Sequence, residues 1–209
     1  MEDIVTDCKD WTNEKLIEHL IKLEFVAFDK TRNEGGRASC QDDWETFHIM
    51  RKSQYLTWTR EMLLSFIEDF ENATSLGRNL ITEKYAWMME TTSPEEFEEI
   101  EDKLPPVREE NKAIIEQIVG IQVKWMEEFA AEHGNVTMHA RYIHTSEDKP
   151  WATSFETYLR GELKTYSDET LFLYAKFIIE LSKEGKNLTE MTMKHTIDMY
   201  GYASFEDIK

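Results

Sequence analysis

The chain contains 209 residues, of which 41% are hydrophobic and 32% charged, and it has only 8 Gly and 4 Pro. This composition is typical of a globular protein with a substantial core and argues against a disordered chain or a turn-rich β-sandwich. The 42 Asp and Glu residues outnumber the 24 Lys and Arg residues, and a charge of −18 repels nucleic acid and anionic membrane surfaces. We therefore expect neither a nucleic-acid partner nor a membrane partner.

The two cysteines, Cys8 and Cys40, are too few for a disulfide framework. The N-terminal segment is acidic, whereas a secretory signal peptide begins with basic residues and continues with an apolar stretch. No apolar run approaches the roughly 20 residues that are needed to span a bilayer. We therefore expect the protein to be cytoplasmic.

Apolar residues recur at spacings of three and four along the whole chain, which is the period of an amphipathic α-helix. Strand signals are weak throughout, so the sequence predicts an all-α fold. The predicted helices cover residues 16–28, 43–56, 59–75, 79–91 and 94–102 in the first half, and 114–129, 152–164, 167–183, 187–200 and 204–208 in the second.

The chain contains an internal repeat. The motif GRNL at Gly77–Leu80 recurs as GKNL at Gly185–Leu188, and nine of 44 positions are identical between residues 57–100 and 165–208. The first helices of the two halves also match, and Pro105-Pro106 lies between the halves. We predict two tandem, pseudo-symmetric multi-helix repeats, residues 1–104 and 105–209, which pack into one compact helical domain.

A loop over residues 33–44, with the sequence NEGGRASCQDDW, is the first candidate site. Backbone N–H groups at Gly35 and Gly36 can turn toward a ligand, and Arg37 can bind a carboxylate or phosphate. Cys40 is the only candidate nucleophile, with His48 as the nearest base in the sequence. The alternative is a structural loop in which an aspartate caps the next helix and Cys40 is a small apolar residue.

A second set of candidates consists of polar residues on otherwise apolar helical faces. Buried charges are costly unless they are paired, so these residues are predicted to form one internal polar network that lines a pocket between the repeats. In the alternative, the arginines extend past the core into solvent. The candidate ligand-binding residues of this network and of the loop are Glu24, Gly35, Gly36, Arg37, Gln41, Arg51, Gln54, Arg160 and Glu162.

Two further patterns are open to a metal interpretation. His133, His139 and His144 lie within twelve residues, but their spacing matches no compact ligand pattern. Glu45 and His48 resemble half of a di-iron motif, which needs a second Glu and His pair. We therefore predict no metal site and leave the cofactor open. The aromatic stripe is predicted to be core: Trp44, Tyr55, Trp58, Tyr85, Trp87, Trp125, Trp151, Tyr158 and Tyr166.

The segments NEGGRASCQDDW, MRKSQYLTW, GRNLITEKYAWMMETTSPEEF, SFETYLRGELKTYSD and GYASFEDI together resemble a prokaryotic family of uncharacterised proteins, domain of unknown function 4125. The resemblance covers nearly the whole chain and implies no particular reaction. Domains similar to these occur attached to nucleotidyltransferase-like domains, which implies a helper or substrate-recognition role.

Two functions remain open at this point. The first is binding of a small anionic or amide-bearing molecule in the polar pocket between the repeats, with or without catalysis. The second is a protein-interaction or regulatory module without catalytic activity. Its acidic helix, which begins near Glu95, would bind a basic protein partner or a second copy of the chain in a homodimer.

Overall fold

A computed structural model describes residues 8–32, 36–138 and 140–208, and this part of the chain is all-helical, without a strand. The described residues form ten α-helices and several short 3-10 turns. The helices are α1 Asn13–Asp29, α2 Trp44–Tyr55, α3 Arg60–Ser75, α4 Leu80–Thr92, α5 Pro94–Glu98, α6 Glu109–Glu132, α7 Gly134–Thr137, α8 Phe155–Leu163, α9 Asp168–Lys183 and α10 Leu188–Met199. The prediction of an all-α fold is confirmed.

Most of the longer helices begin where a side-chain oxygen caps the first free backbone N–H groups. Thr59 accepts a hydrogen bond from the backbone N–H of Met62 at the start of α3, and Ser167 accepts one from Thr170 at the start of α9. Two predicted helices differ from the structure. The segment 94–102 is divided into α5 and a 3-10 turn, and 204–208 forms only a 3-10 turn. Both segments are too short to propagate a stable helix.

The GRNL and GKNL turns use the same chemistry. Gly77 and Gly185 have φ angles of 71° and 66°, a left-handed conformation that glycine adopts without strain. Asn79 caps α4 and donates a hydrogen bond to the carbonyl of Ala27 on α1. Asn187 caps α10 and donates one to the carbonyl of Trp125 on α6. Each turn therefore ends one helix, begins the next and binds the first helix of its own half.

The helices pack around one hydrophobic core. In the first half α1 contacts α2, α3 and α4, and in the second half α6 contacts α8, α9 and α10. Between the halves, α3 packs on α9, α4 packs on α8 and α2 packs on α10. The core therefore continues across the boundary between the halves. None of the helices in the described part is long and apolar enough to cross a membrane.

Candidate functional site

A cluster of buried and half-buried polar side chains lies where the two halves meet. We call it the polar cluster. The first half supplies α1, α2 and α4, and the second supplies α8 and the turn that follows it. Its members are Glu24, Arg51, Gln54, Tyr55, Lys84, Tyr158, Glu162 and Tyr166.

Two carboxylates organise the polar cluster. Glu24 accepts a hydrogen bond of 2.7 Å from the Tyr55 hydroxyl and pairs with Arg51 Nη2 at 2.8 Å. Glu162 pairs with Lys84 Nζ at 3.2 Å and accepts hydrogen bonds from Gln54 Nε2 and Tyr166 Oη. Glu162 also lies 3.6 Å from Arg51 Nη1. Arg51 is therefore shared by both carboxylates.

The phenol of Tyr158 lies between the two buried cations. Its Oη accepts a hydrogen bond of 2.8 Å from Lys84 Nζ and one of 3.1 Å from Arg51 Nη2. Among the described residues no acceptor is hydrogen-bonded to the Tyr158 hydroxyl proton. The guanidinium of Arg141 lies over the Tyr158 ring, 4.9 Å from its centroid. Three cationic side chains thus converge on one tyrosine.

The electrostatics of the polar cluster shift pKa values in opposite directions. Burial alone would raise the pKa of Glu162, but the charges of Lys84 and Arg51 outweigh it and lower this pKa to about 2. For Glu24 burial prevails over Arg51 and Lys84, so its pKa is raised. Burial opposes ionisation of Tyr158, yet Arg51 and Lys84 together lower the pKa of its phenol.

A glycine allows the close contact between α4 and α8 that assembles the polar cluster. A Cβ at Gly161 would lie 2.9 Å from Met88 Cγ and 3.0 Å from the carbonyl oxygen of Lys84. The backbones approach more closely here than a larger residue permits. This contact lets Lys84, on α4, reach Tyr158 and Glu162, which are four residues apart on one face of α8.

The structure places the predicted loop residues beside the polar cluster rather than in it. Arg37 is exposed and binds Asp29 at 2.6 Å and Asp42 at 2.8 Å. Gln41 is buried, and its amide donates to the carbonyls of Phe28 and Thr31, which closes the loop. Gly36 has a φ angle of +89°, and Gly35 lies outside the described residues.

Cys40 and His48, the predicted nucleophile and base, lie on different elements. Cys40 is exposed on the 3-10 turn Ser39–Asp42. His48 is on α2, and its Nε2 lies 2.9 Å from Glu18 Oε2. In the described part of the chain no hydrogen bond joins Cys40 to His48.

Of the predicted network residues, Glu24, Arg51, Gln54 and Glu162 come together and Arg160 does not. Arg160 binds Glu116 on α6 and Glu156 on α8, with its guanidinium nitrogens 2.7 Å from an oxygen of each. Two residues of helix correspond to a rotation of about 200°, so Arg160 points away from the face that carries Tyr158 and Glu162.

The sequence interpretation missed Lys84, Tyr158 and Arg141. Lys84 lies four residues from both Leu80 and Met88, so the helical period could have identified it as buried, and its side chain is only 2% exposed. Tyr158 was predicted as core, and the identity of its cationic partners depends on contacts between distant helices. Arg141 lies in a loop, where periodicity carries no signal.

A surface hollow of about 400 Å³ adjoins the polar cluster. It is lined by residues 140–142 and 151–153, and Trp151, which was predicted as core, is 82% exposed at its edge. Arg141 lines this hollow and also covers the Tyr158 ring. No carboxylate of a described residue forms an ion pair with Arg141. The hollow therefore offers an unpaired cation next to an exposed aromatic ring.

A second depression, of about 390 Å³, lies between α3, α9 and the segment that connects the halves. Its cations are neutralised: Arg78 pairs with Glu83 at 2.7 Å, Arg108 pairs with Asp168 at 2.9 Å, and Lys164 pairs with Glu90. This groove is consequently a weaker candidate for an anionic ligand than the hollow at Arg141.

The histidines of the second loop have other neighbours. His144 Nε2 lies 3.1 Å from Glu127 Oε1, and His133 packs against Phe129 and Phe205. His139 is outside the described residues. Within the described ranges no group of three or more His, Cys, Asp or Glu side chains is placed to hold a metal ion.

The fold and the polar cluster define an all-helical protein in which helices of both halves enclose paired charges. The chain belongs to the family described as "Protein of unknown function (DUF4125)", whose sequence profile matches residues 14–209. No curated protein and no solved structure shows significant similarity to the chain.

Proposed function

We propose that the protein binds a small anionic molecule at the Arg141 hollow, above the polar cluster. One observation carries this proposal: Arg141 lines the hollow and forms no ion pair with a carboxylate of a described residue. Such a cation within a chain of charge −18 favours a negatively charged ligand.

The shape of the hollow indicates which anions fit best. Trp151 is 82% exposed and Tyr142 is 46% exposed, and both line the hollow beside Arg141. Exposed aromatic rings next to a cation provide a stacking surface and a charge in one place. Aromatic carboxylates and similar flat anions are therefore the ligands that we favour.

A melting screen with inorganic phosphate, tricarboxylates and aromatic carboxylates tests the proposal. A bound anion at 100 times its Kd stabilises the protein by about 2.7 kcal/mol, or about 5–10 °C in a domain of this size. Arg141→Gln removes the exposed cation and should weaken binding by about 10- to 100-fold. Lys124→Gln, an exposed residue of α6 that loses the same charge, is the matched control.

Two results would contradict the proposal. One is that no anion in the screen raises the melting temperature of the unaltered protein. The other is that Arg141→Gln and Lys124→Gln reduce anion stabilisation equally, since this indicates only the general effect of surface charge. A protein partner that co-purifies without a small molecule would favour the interaction module instead.

Cys40 and His48 are kept as a proposed catalytic pair, for separate reasons. Cys40 is supported by its exposure. His48 is supported by Glu18, because a carboxylate that orients an imidazole is the usual arrangement of a general base. Arg37, Gly36 and Gln41 would then form the wall of the site, with the backbone of Gln41 holding Arg37.

We further propose that the halves are tandem copies related by an approximate two-fold axis, with 1–104 and 105–209 as the repeats. Equivalent hydrogen bonds support this arrangement: Asn79 to Ala27 in the first half and Asn187 to Trp125 in the second. The reciprocal packing of α4 on α8 and of α10 on α2 supports it too. The site then lies where equivalent helices have diverged, with Gln54 aligned to Glu162.

A further inference from the structure

We infer that Tyr158 is a proton-exchanging group, which ionises to a phenolate while it is held between Lys84 and Arg51. This inference rests on the geometry of the polar cluster and not on the proposed ligand. Both cations donate to the same phenol oxygen, at 2.8 and 3.1 Å. A phenolate oxygen accepts such bonds better than a neutral hydroxyl does.

The position of the hydroxyl proton supports the inference. A buried neutral tyrosine normally donates its proton to an acceptor, as Tyr55 does to Glu24 and Tyr166 does to Glu162. At Tyr158 both observed hydrogen bonds are accepted, and no described residue accepts the proton in return. Loss of this proton breaks no hydrogen bond to a described residue, whereas loss of the protons of Tyr55 or Tyr166 breaks a hydrogen bond to a buried carboxylate.

The charges that face Tyr158 come from every element packed around it, and they compensate one another. Glu162 stays ionised and compensates one of the two buried cations. The second cation is compensated either by Glu24 or by Tyr158, and the pKa of Glu24 is raised while that of Tyr158 is lowered. The facing groups are Glu24 of α1, Arg51 of α2, Lys84 and Tyr85 of α4, Arg141 of the α7–α8 connection, and Glu162 of α8.

The test needs no ligand. Full-length protein with tyrosines labelled at Cζ is titrated by NMR, which resolves the ionisation of each of the 8 tyrosines. We expect one resonance to ionise below the ordinary tyrosine pKa of about 10. That resonance should be missing in Tyr158→Phe. It should remain in the control variant Tyr200→Phe, because Tyr200 is an exposed tyrosine at the C-terminal end of α10.

A variant of the cationic partner completes the test. Lys84→Met keeps much of the side-chain volume and removes the charge, and it should raise the pKa of Tyr158 by about one to three units. The inference is overturned if Tyr158 ionises at or above a pKa of about 10 in the unaltered protein. If Lys84→Met does not fold, the comparison of the unaltered protein with Tyr158→Phe still decides the question.

The two proposals fail in different ways. An early ionisation of Tyr158 without any stabilising anion would contradict the proposed ligand and leave the proton-exchanging group in place. A stabilising anion together with a Tyr158 pKa at or above about 10 would support the proposed ligand and contradict the proton-exchanging group.

Discussion

At the scale of single residues, the chemistry of the buried carboxylates depends on their neighbours and not on their residue type. Glu24 and Glu162 are both almost completely buried, with side chains 2% and 9% exposed. Glu162 has Lys84 and Arg51 beside it, whereas Glu24 pairs with Arg51 alone. Burial raises the pKa of Glu24 despite its cationic neighbours, whereas at Glu162 the charges of Lys84 and Arg51 outweigh burial and lower the pKa to about 2.

The low pKa of Glu162 makes a prediction about stability in acid. Because the folded pKa is below the unfolded value, the stabilisation by Glu162 is complete above pH of about 4.5 and is lost as pH falls toward about 2. The loss is on the order of 3 kcal/mol. Glu162→Gln should cost about 3–5 kcal/mol at pH 7, because it leaves buried cations without compensation.

Chemical denaturation of the unaltered protein and of Glu162→Gln, measured from pH 7 down to pH of about 2.5, checks this prediction. The free energies of unfolding of the two proteins should converge as pH falls below about 4.5. Glu132→Gln, at an exposed position near the end of α6, should change stability by less than about 0.5 kcal/mol. A difference between Glu162→Gln and the unaltered protein that does not vary with pH would show that Glu162 is not ionised in the cluster.

At the scale of elements, the close contact between α4 and α8 is the feature on which the polar cluster depends. Gly161 lies in the interior of α8, where glycine is a poor helix former. Its place is explained by the backbone of α4, which leaves no room for a Cβ. Glycine at this position lowers the intrinsic stability of α8. It also allows α4 and α8 to pack closely enough for Lys84 to reach Glu162.

We predict that Gly161→Ala destabilises the protein by about 1–3 kcal/mol, because Met88 and the α4 backbone must move. Gly120→Ala is the matched control, since Gly120 also lies inside a helix, α6, but no atom lies within 4 Å of its added Cβ. This control should stabilise the protein by about 0.5–1 kcal/mol through helix propensity. Thermal unfolding followed by circular dichroism measures both, and two changes of the same sign would contradict the packing argument.

The elements also show how far sequence reasoning extends. Helix ends were predicted well where a local signal exists, as at Gly77, Asn79 and Asn187, because capping is decided by adjacent residues. The partners in the polar cluster were predicted only in part, because pairing between α4 and α8 depends on how distant helices pack. Arg160 was grouped with Glu162 on burial alone, although residues two apart on a helix do not share a face.

At the scale of the whole molecule, helices of each half pack against helices of the other half. The α4 helix of the first half packs on α8 of the second, and α10 of the second packs on α2 of the first. Lys84 has its carboxylate partner, Glu162, in the other half. Each half by itself would leave apolar helix faces and a buried charge without their partners.

We predict that fragments 1–104 and 105–209 do not unfold cooperatively when each is alone, although about a hundred residues are enough for many domains to fold. Mixed in equal amounts, the fragments should form a one-to-one complex with a cooperative thermal transition, because mixing restores the contacts of α4 with α8. Circular dichroism and analytical ultracentrifugation measure these outcomes. Cooperative melting of either fragment alone would mean that the halves are independent domains.

The central claim is that a small anion binds at Arg141, in the hollow formed by residues 140–142 and 151–153. A crystal structure of the protein grown with the anion that raises its melting temperature most tests this claim directly. The account predicts the anionic group within hydrogen-bond distance of Arg141, with the rest of the ligand against Trp151 or Tyr142. An anion bound instead in the groove of Arg78 and Arg108, or at the Arg37 loop, would contradict it.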